Sequence, residues 1–293
     1  MIKHIVIAGC SFTQYNRDET WYHNIAHDFS SRVQIHNVGI GGAGNYVIST
    51  LCINKVSELL TLGIKFSEIL VITQWSGISR KSFIGDNRES VLSVEFNHCQ
   101  VDNILKDLSK KDGTSKFCWD IGKKNNENYW THYKDNYWSD ECAFIETLEN
   151  ILRTQWFLKS SQINFLMFIG WDLFTDSDKG EHMHSACRGW FKANDGRGQW
   201  EKNRIYENKF NPMLKDKFKW SSHLWDMIDF SKFTFFENDK IKFGGMMQWG
   251  QHNLTPDKWY CGPSDPHPSQ HVQTGFFNCY VKPWVQKNIE VHE

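Results

Sequence analysis

The feature that most constrains this chain is a short β-branched run that stops at glycine and gives way to a helical period, a unit used more than once. Residues 3–8 (KHIVIA) end at Gly9, and residues 20–31 then place Trp21, Ile25, Ala26 and Phe29 at helical spacing. Residues 33–38 (VQIHNV) run into the glycine cluster GIGGAGN at 39–45, after which Val47, Ile48, Leu51, Val56, Leu59 and Leu60 repeat the helical period. A third run, 68–73 (EILVIT), is short and β-branched enough for a buried parallel strand and leads into QWSGISR at 74–80. A helix near 141–159, a strand at 163–169 (INFLMFI) and a weaker strand at 233–238 (FTFFEN) continue the alternation. Strands that alternate with helices call for a parallel sheet covered on both faces, so the expected fold class is α/β.

Two stretches break this rhythm, at about 81–140 and 172–230, and both are polar and aromatic. No composition shift cuts the chain in two, so residues 1–293 are expected to form a single domain with two aromatic-rich insertions. The 14 Trp and 21 Phe exceed what a core needs, and Trp is seldom fully buried. The insertion tryptophans could stack on sugar rings or acyl chains at the rim of a crevice, or form the small core of a lid.

Charge excludes some partners. Lys plus Arg is 33 and Asp plus Glu 34, so the chain lacks the basic field that a nucleic-acid or anionic-membrane binder uses. Neither nucleic acid nor membrane is expected as a partner. The first apolar run is too short for a signal peptide or a membrane span, and eight Cys without CxxC spacing suggest reduced thiols, so the expected location is cytoplasmic. His182, His184 and Cys187 lie close together in EHMHSAC, but without the spacing of a zinc site they read as loop residues and no metal is expected. The glycines of GIGGAG have dinucleotide-loop spacing. They follow the second strand rather than the first, and the third strand ends in Thr73-Gln74 with no acid for a ribose, so no cofactor is expected.

Ligands of an open parallel sheet bind at the carboxyl ends of the strands. Three such ends carry GCSFT (9–13), GIGGAGN (39–45) and QWSGISR (74–80), and all three should face one crevice. Near the C-terminus GPSDPHPSQH (262–271) puts an acid and a histidine on a loop before a closing helix through Val272, Phe276, Phe277, Tyr280 and Trp284. A serine at the sharp turn after the first strand is expected near the amino end of the next helix, where free N–H groups favour an oxyanion. Serine needs a base, normally histidine oriented by a carboxylate. Ser11, His267 and Asp265 could supply all three, although Ser11 alone could equally be a turn residue or a helix cap.

These blocks, in this order, resemble the SGNH or GDSL-like hydrolases, a flavodoxin-like three-layer α/β/α family of esterases, lipases, carbohydrate deacetylases and acyltransferases. GCSFT resembles the first block with Cys10 in place of Asp and Ser11 as nucleophile; NVGIGG (37–42) resembles the second, which implies that the Gly42 N–H meets the oxyanion. The third block should contain Gly-x-Asn-Asp, whose Asn is the other donor, and here reads QWSG. Ser76 falls nearest that Asn, with Gln74 and Asn45 as other polar donors. Asp265-Pro-His267-Pro resembles the fourth block with one residue fewer between acid and base.

The resemblance implies a serine esterase whose oxyanion hole draws on the backbone N–H groups of Ser11 and Gly42, with a polar side chain from Asn45, Gln74 or Ser76 as the further donor. Trp75 and Arg80, at the third strand end, are the candidate substrate contacts, and Arg80 could instead pair with a surface carboxylate. The expected substrate is a small O-acyl ester, such as an acetylated carbohydrate. The same triad would serve an acyltransferase, and the missing third-block Asn leaves open a non-catalytic binding module.

Overall fold

A computed structural model describes residues 1–14, 20–78, 80–84, 90–96, 101–107, 136–137, 139–175, 207–262 and 265–290. In chain order the strands are β1 (His4–Ala8), β2 (Gln34–Asn37), β3 (Ile69–Trp75), β4 (Arg80–Ile84), β5 (Ser90–Phe96), β6 (Val101–Asp107), β7 (Asn164–Ile169), β8 (Tyr260–Gly262) and β9 (Asp265–Pro268). The longer helices are α1 (Trp21–Phe29), α2 (Asn45–Thr61), α3 (Asp140–Ser160), α4 (Met246–Asn253), α5 (Gln270–Phe276) and α6 (Lys282–Glu290). One π turn, Phe277–Val281, joins α5 to α6.

Four strands pair in parallel in the order β2-β1-β3-β7, with Ala8 opposite Thr73 and Gln74 opposite Phe168. Every residue of β3 is buried, and Ile5 through Ala8 of β1 are completely so. A strand covered on both faces has no solvent side to alternate with, which is why these runs read as continuously apolar. On one face Trp21 of α1 meets Phe168 edge-on at 5.1 Å, and Phe276 of α5 packs on the same ring at 5.3 Å. On the other face the Cys52 thiol of α2 lies 3.8 Å from the Thr73 hydroxyl, and α2 packs along α3. Polar pairs key these two helices together: Ser49 and Thr154 hydroxyls at 2.7 Å, with Arg153 Nε donating to Ser49 at 2.9 Å. The fold is thus α/β in three layers, a parallel sheet between two helical layers.

The expected strand at 233–238 is reduced to two isolated bridges, one parallel between Met167 and Phe233, with Thr234 N–H donating to Met167 O at 2.9 Å, and one antiparallel between Phe236 and Gly244. Its aromatic side chains are drawn elsewhere, since Phe233 and Phe235 both pack on Phe174 together with Trp225, Phe230 and Phe243. The first insertion opens with an antiparallel sheet, β4-β5-β6. At the other end of the chain α4 and α5 lie close because glycines line the contact. A Cβ on Gly250 would come within 2.6 Å of Val272, and one on Gly275 within 1.9 Å of the Trp249 ring. Among the described residues no helix is long and apolar enough to cross a membrane.

Candidate active site

Because the four strands are parallel, their carboxyl ends open on one edge of the sheet. The chain after β1 makes a tight turn in which Thr13 N–H donates to Cys10 O at 2.9 Å, leaving Ser11 and Phe12 as its two central residues. Ser11 is 6 % exposed. The first helix begins only at Trp21, so Ser11 sits on a β-turn rather than at a helix amino end; the expectation of a helix N-terminus next to Ser11 is corrected accordingly. A Cβ at Gly9 would lie 2.2 Å from Thr13 Oγ1, so the strand can only turn this sharply at glycine.

His267 arrives from the far end of the chain on β9, which pairs antiparallel with β8. The DPHP segment is therefore an edge strand rather than the expected loop. Pro266 and Pro268 donate no backbone hydrogen bond, and an edge strand has a side where none is needed. His267 Nε2 lies 2.9 Å from Ser11 Oγ. With the proton on Nδ1, Nε2 accepts from the hydroxyl and is set to take its proton. Asp265 lies two residues upstream on the same strand, opposite Gly262; its side chain is outside the described residues.

The donors expected for the oxyanion fall into distinct places. Gly42 adopts φ +75° in a turn closed by Ala43 N–H to Ile40 O at 3.1 Å, a conformation that favours glycine at this position. Asn45, at the start of α2, spends its amide on the third strand end: Nδ2 donates to Ser76 O and to Thr147 Oγ1, both at 3.1 Å, and Oδ1 accepts from Ser76 N–H at 2.9 Å. Gln74 is fully buried, and its Nε2 donates to Trp75 O at 2.6 Å while its Oε1 faces the Ser11 turn. Both amides are thus occupied in holding loops.

Ser76 stands differently. Register pairs Ala8 with Thr73, so Ser11 and Ser76 each lie three residues past matched positions on neighbouring strands. The Ser76 hydroxyl accepts from Arg80 Nη1 at 3.1 Å. A hydroxyl that accepts from a guanidinium still has its own proton to donate. Trp75 has no exposed surface and shares its sheet face with Thr73, toward α2, so it belongs to the core.

Residues not singled out from sequence complete the wall. Phe12 meets Trp171 edge-on at 4.5 Å and His267 at 5.8 Å, and the Arg80 guanidinium lies 5.3 Å from the centre of the Trp171 ring. An aromatic band therefore links His267 to Arg80 and Ser76. Trp171 follows the fourth strand end, Gly170, whose N–H donates to Trp75 O at 3.2 Å. Glycine followed by an aromatic residue after an apolar run was the available signal. The segment EHMHSAC lies outside the described residues, and among those described no three His, Cys, Asp or Glu side chains are grouped to hold a metal ion. No protein-family model matches the chain, and no curated protein matches it.

Proposed function

We propose that this chain is a serine ester hydrolase of the SGNH type, with Ser11 as nucleophile, His267 as general base and acid, and Asp265 as the carboxylate that orients the imidazole. The observation that carries the reading is the 2.9 Å approach of His267 Nε2 to Ser11 Oγ, between residues 256 positions apart. In the reaction Ser11 Oγ attacks an ester carbonyl while His267 takes its proton. The imidazolium returns that proton to the departing alkoxide, and the acyl group stays on Ser11. Water, deprotonated by His267, then releases the carboxylic acid and restores the serine.

The backbone N–H groups of Ser11 and Gly42 and the hydroxyl of Ser76 are the proposed oxyanion donors, each of a kind worth about 3 kcal/mol in the transition state. Asn45 and Gln74 hold the framework instead. The proposed substrate is a small O-acyl ester carried on a carbohydrate, for which the half-buried Arg80 beside Ser76 offers a cation, backed by the buried rings of Trp171 and Phe12.

A fluorophosphonate probe tests the chemistry directly. The protein should be labelled at Ser11, and labelling should vanish in Ser11→Ala; an unlabelled wild-type protein would overturn the proposal. Acetylated sugars should be deacylated faster than long-chain esters, and the reverse order would refute the substrate class.

A further inference from the structure

We propose that Gln74 is a positioning residue for the nucleophile: its buried amide fixes the turn that aims the Ser11 hydroxyl at His267. The proposal rests on the reading of Ser11 as nucleophile given above, and it goes further by assigning an unpredicted role to a side chain that makes no contact with Ser11 Oγ in the bonds described. Three donors converge on Gln74 Oε1: the Cys10 N–H at 3.2 Å, the Cys10 thiol at 3.3 Å and the Thr13 hydroxyl at 3.1 Å. Cys10 and Thr13 are the two ends of the Ser11 turn, already joined by Thr13 N–H to Cys10 O. One carbonyl oxygen on β3 therefore grips both ends of the turn that follows β1.

The orientation of the amide is not arbitrary. A backbone N–H can only donate and a backbone C=O can only accept, so the atom facing Cys10 N must be oxygen and the atom facing Trp75 O must be nitrogen. Space is reserved for it as well. A Cβ on Gly9 would lie 2.9 Å from Gln74 Oε1, and a Cβ on Gly170 would lie 2.9 Å from Nε2. Glycines at the ends of β1 and β7 thus leave room for an amide supplied by the strand between them. Thr13 carries the restraint outward: its Oγ1 accepts from Trp21 Nε1 at 3.0 Å, and its carbonyl accepts from Asn37 Nδ2 at 2.7 Å. Ser11 and Phe12 are consequently the span of a turn whose ends are held from β3, β2 and α1.

If the amide only filled space, an isosteric apolar side chain would lower stability and leave the chemistry of folded molecules untouched. If it positions Ser11, the reaction slows because the hydroxyl wanders from the imidazole, a displacement whose cost can reach ~100-fold for about 1 Å. The test measures fluorophosphonate labelling rates against pH for wild type, Gln74→Met, Thr13→Val and Thr13→Ser, at a temperature where circular dichroism shows each to be folded.

The expected result is a plateau rate lower by ~100-fold in Gln74→Met and by roughly 10-fold in Thr13→Val, with Thr13→Ser near wild type because it keeps the hydroxyl. The midpoint of the pH profile should not move, since it reports the imidazole rather than the turn. Should Gln74→Met fail to fold, Thr13→Val against Thr13→Ser decides. Wild-type rates in folded Gln74→Met and Thr13→Val, with lowered melting temperatures, would overturn the positioning role and leave the serine reading intact. No labelling of the wild type would overturn both.

Discussion

Replacing Gly275 by Ala adds one methyl group at the tightest helix contact described. On an isolated helix this change would stabilise by about 1 kcal/mol, because alanine loses less backbone freedom than glycine. Here the new Cβ would stand 1.9, 2.5 and 2.9 Å from Cη2, Cζ3 and Cζ2 of Trp249. Trp249 is buried, so its ring cannot swing into solvent to make room. Overpacking of this kind costs about 1–3 kcal/mol, and an approach so far inside van der Waals contact belongs at the upper end.

The net expectation is destabilisation by about 2 kcal/mol, or a melting temperature lower by roughly 3 °C. Trp249→Phe removes the three crowded ring atoms and leaves a void, at a cost of about 1–2 kcal/mol on its own. In that background Gly275→Ala should be neutral or mildly stabilising, giving a coupling of about 2 kcal/mol or more. Urea unfolding of the four proteins measures the cycle. A Gly275→Ala protein as stable as wild type, or a cost unchanged by Trp249→Phe, would show that the helices do not meet at these atoms. The same variants bear on chemistry, because α5 starts three residues after His267, behind the Ser269 cap.

Two further outcomes follow from burial. The Cys52 thiol has its pKa pushed up to about 12 by burial, and Cys10 is also buried, whereas Cys142 and Cys279 are exposed. Iodoacetamide followed by peptide mass mapping should modify Cys142 and Cys279 in the native protein, and Cys10 and Cys52 only after unfolding; native modification of Cys52 at the Cys142 rate would contradict the placement of α2 on the sheet. His4 and His36 approach within 3.0 Å, and burial lowers both pKa values below the ordinary 6.5, against an opposing pull from Glu68 on His4 and Glu58 on His36. The unfolded chain then binds more protons than the folded one. Stability is fully present above about pH 6.5 and is lost as pH falls from there through the folded pKa values. His36→Gln should flatten that part of the melting-temperature profile, and an unchanged slope would refute the assignment.

Much of the architecture was legible because a buried parallel strand writes itself as an unbroken β-branched run. KHIVIA, EILVIT and INFLMFI each mark a strand of the central sheet within one or two residues of its ends. β3 extends past the expected end at Thr73 to Trp75, since Gln74 and Trp75 are buried as well. A polar Gln after an apolar run looks like the start of a loop; its destination depends on the β1–β3 register, which puts it opposite Phe168 and under the Ser11 turn. Asn45 was ambiguous for the same reason, because an amide that donates to a ligand and one that braces a loop are the same residue in sequence.

The serine block could be picked out because it carries turn residues at the end of β1, and the histidine block because an acid and a histidine precede the closing helix; β9, in a sheet separate from that of β1, brings His267 to Ser11. The conformation of the histidine block was harder to read. Pro-His-Pro suggests a loop unless one knows that the strand lies at an edge. β4-β5-β6 escaped notice because its strands belong to a local antiparallel sheet, outside the helix-strand rhythm used to parse the rest.

The 256 positions between Ser11 and His267 also have a meaning in time. A chain leaves the ribosome amino end first, and its early segments begin to fold while later ones are still being made. The turn that carries the serine emerges 256 residues ahead of its base, and stays without it until β9 and α5 have emerged and docked, where Gln273 Oε1 accepts from Trp21 N–H at 3.1 Å. Under the proposed chemistry the protein is therefore inert while the residues between them are made, and acquires its reactivity when β9 docks. A chain released before residue 267 would carry the serine turn and no means of activating it.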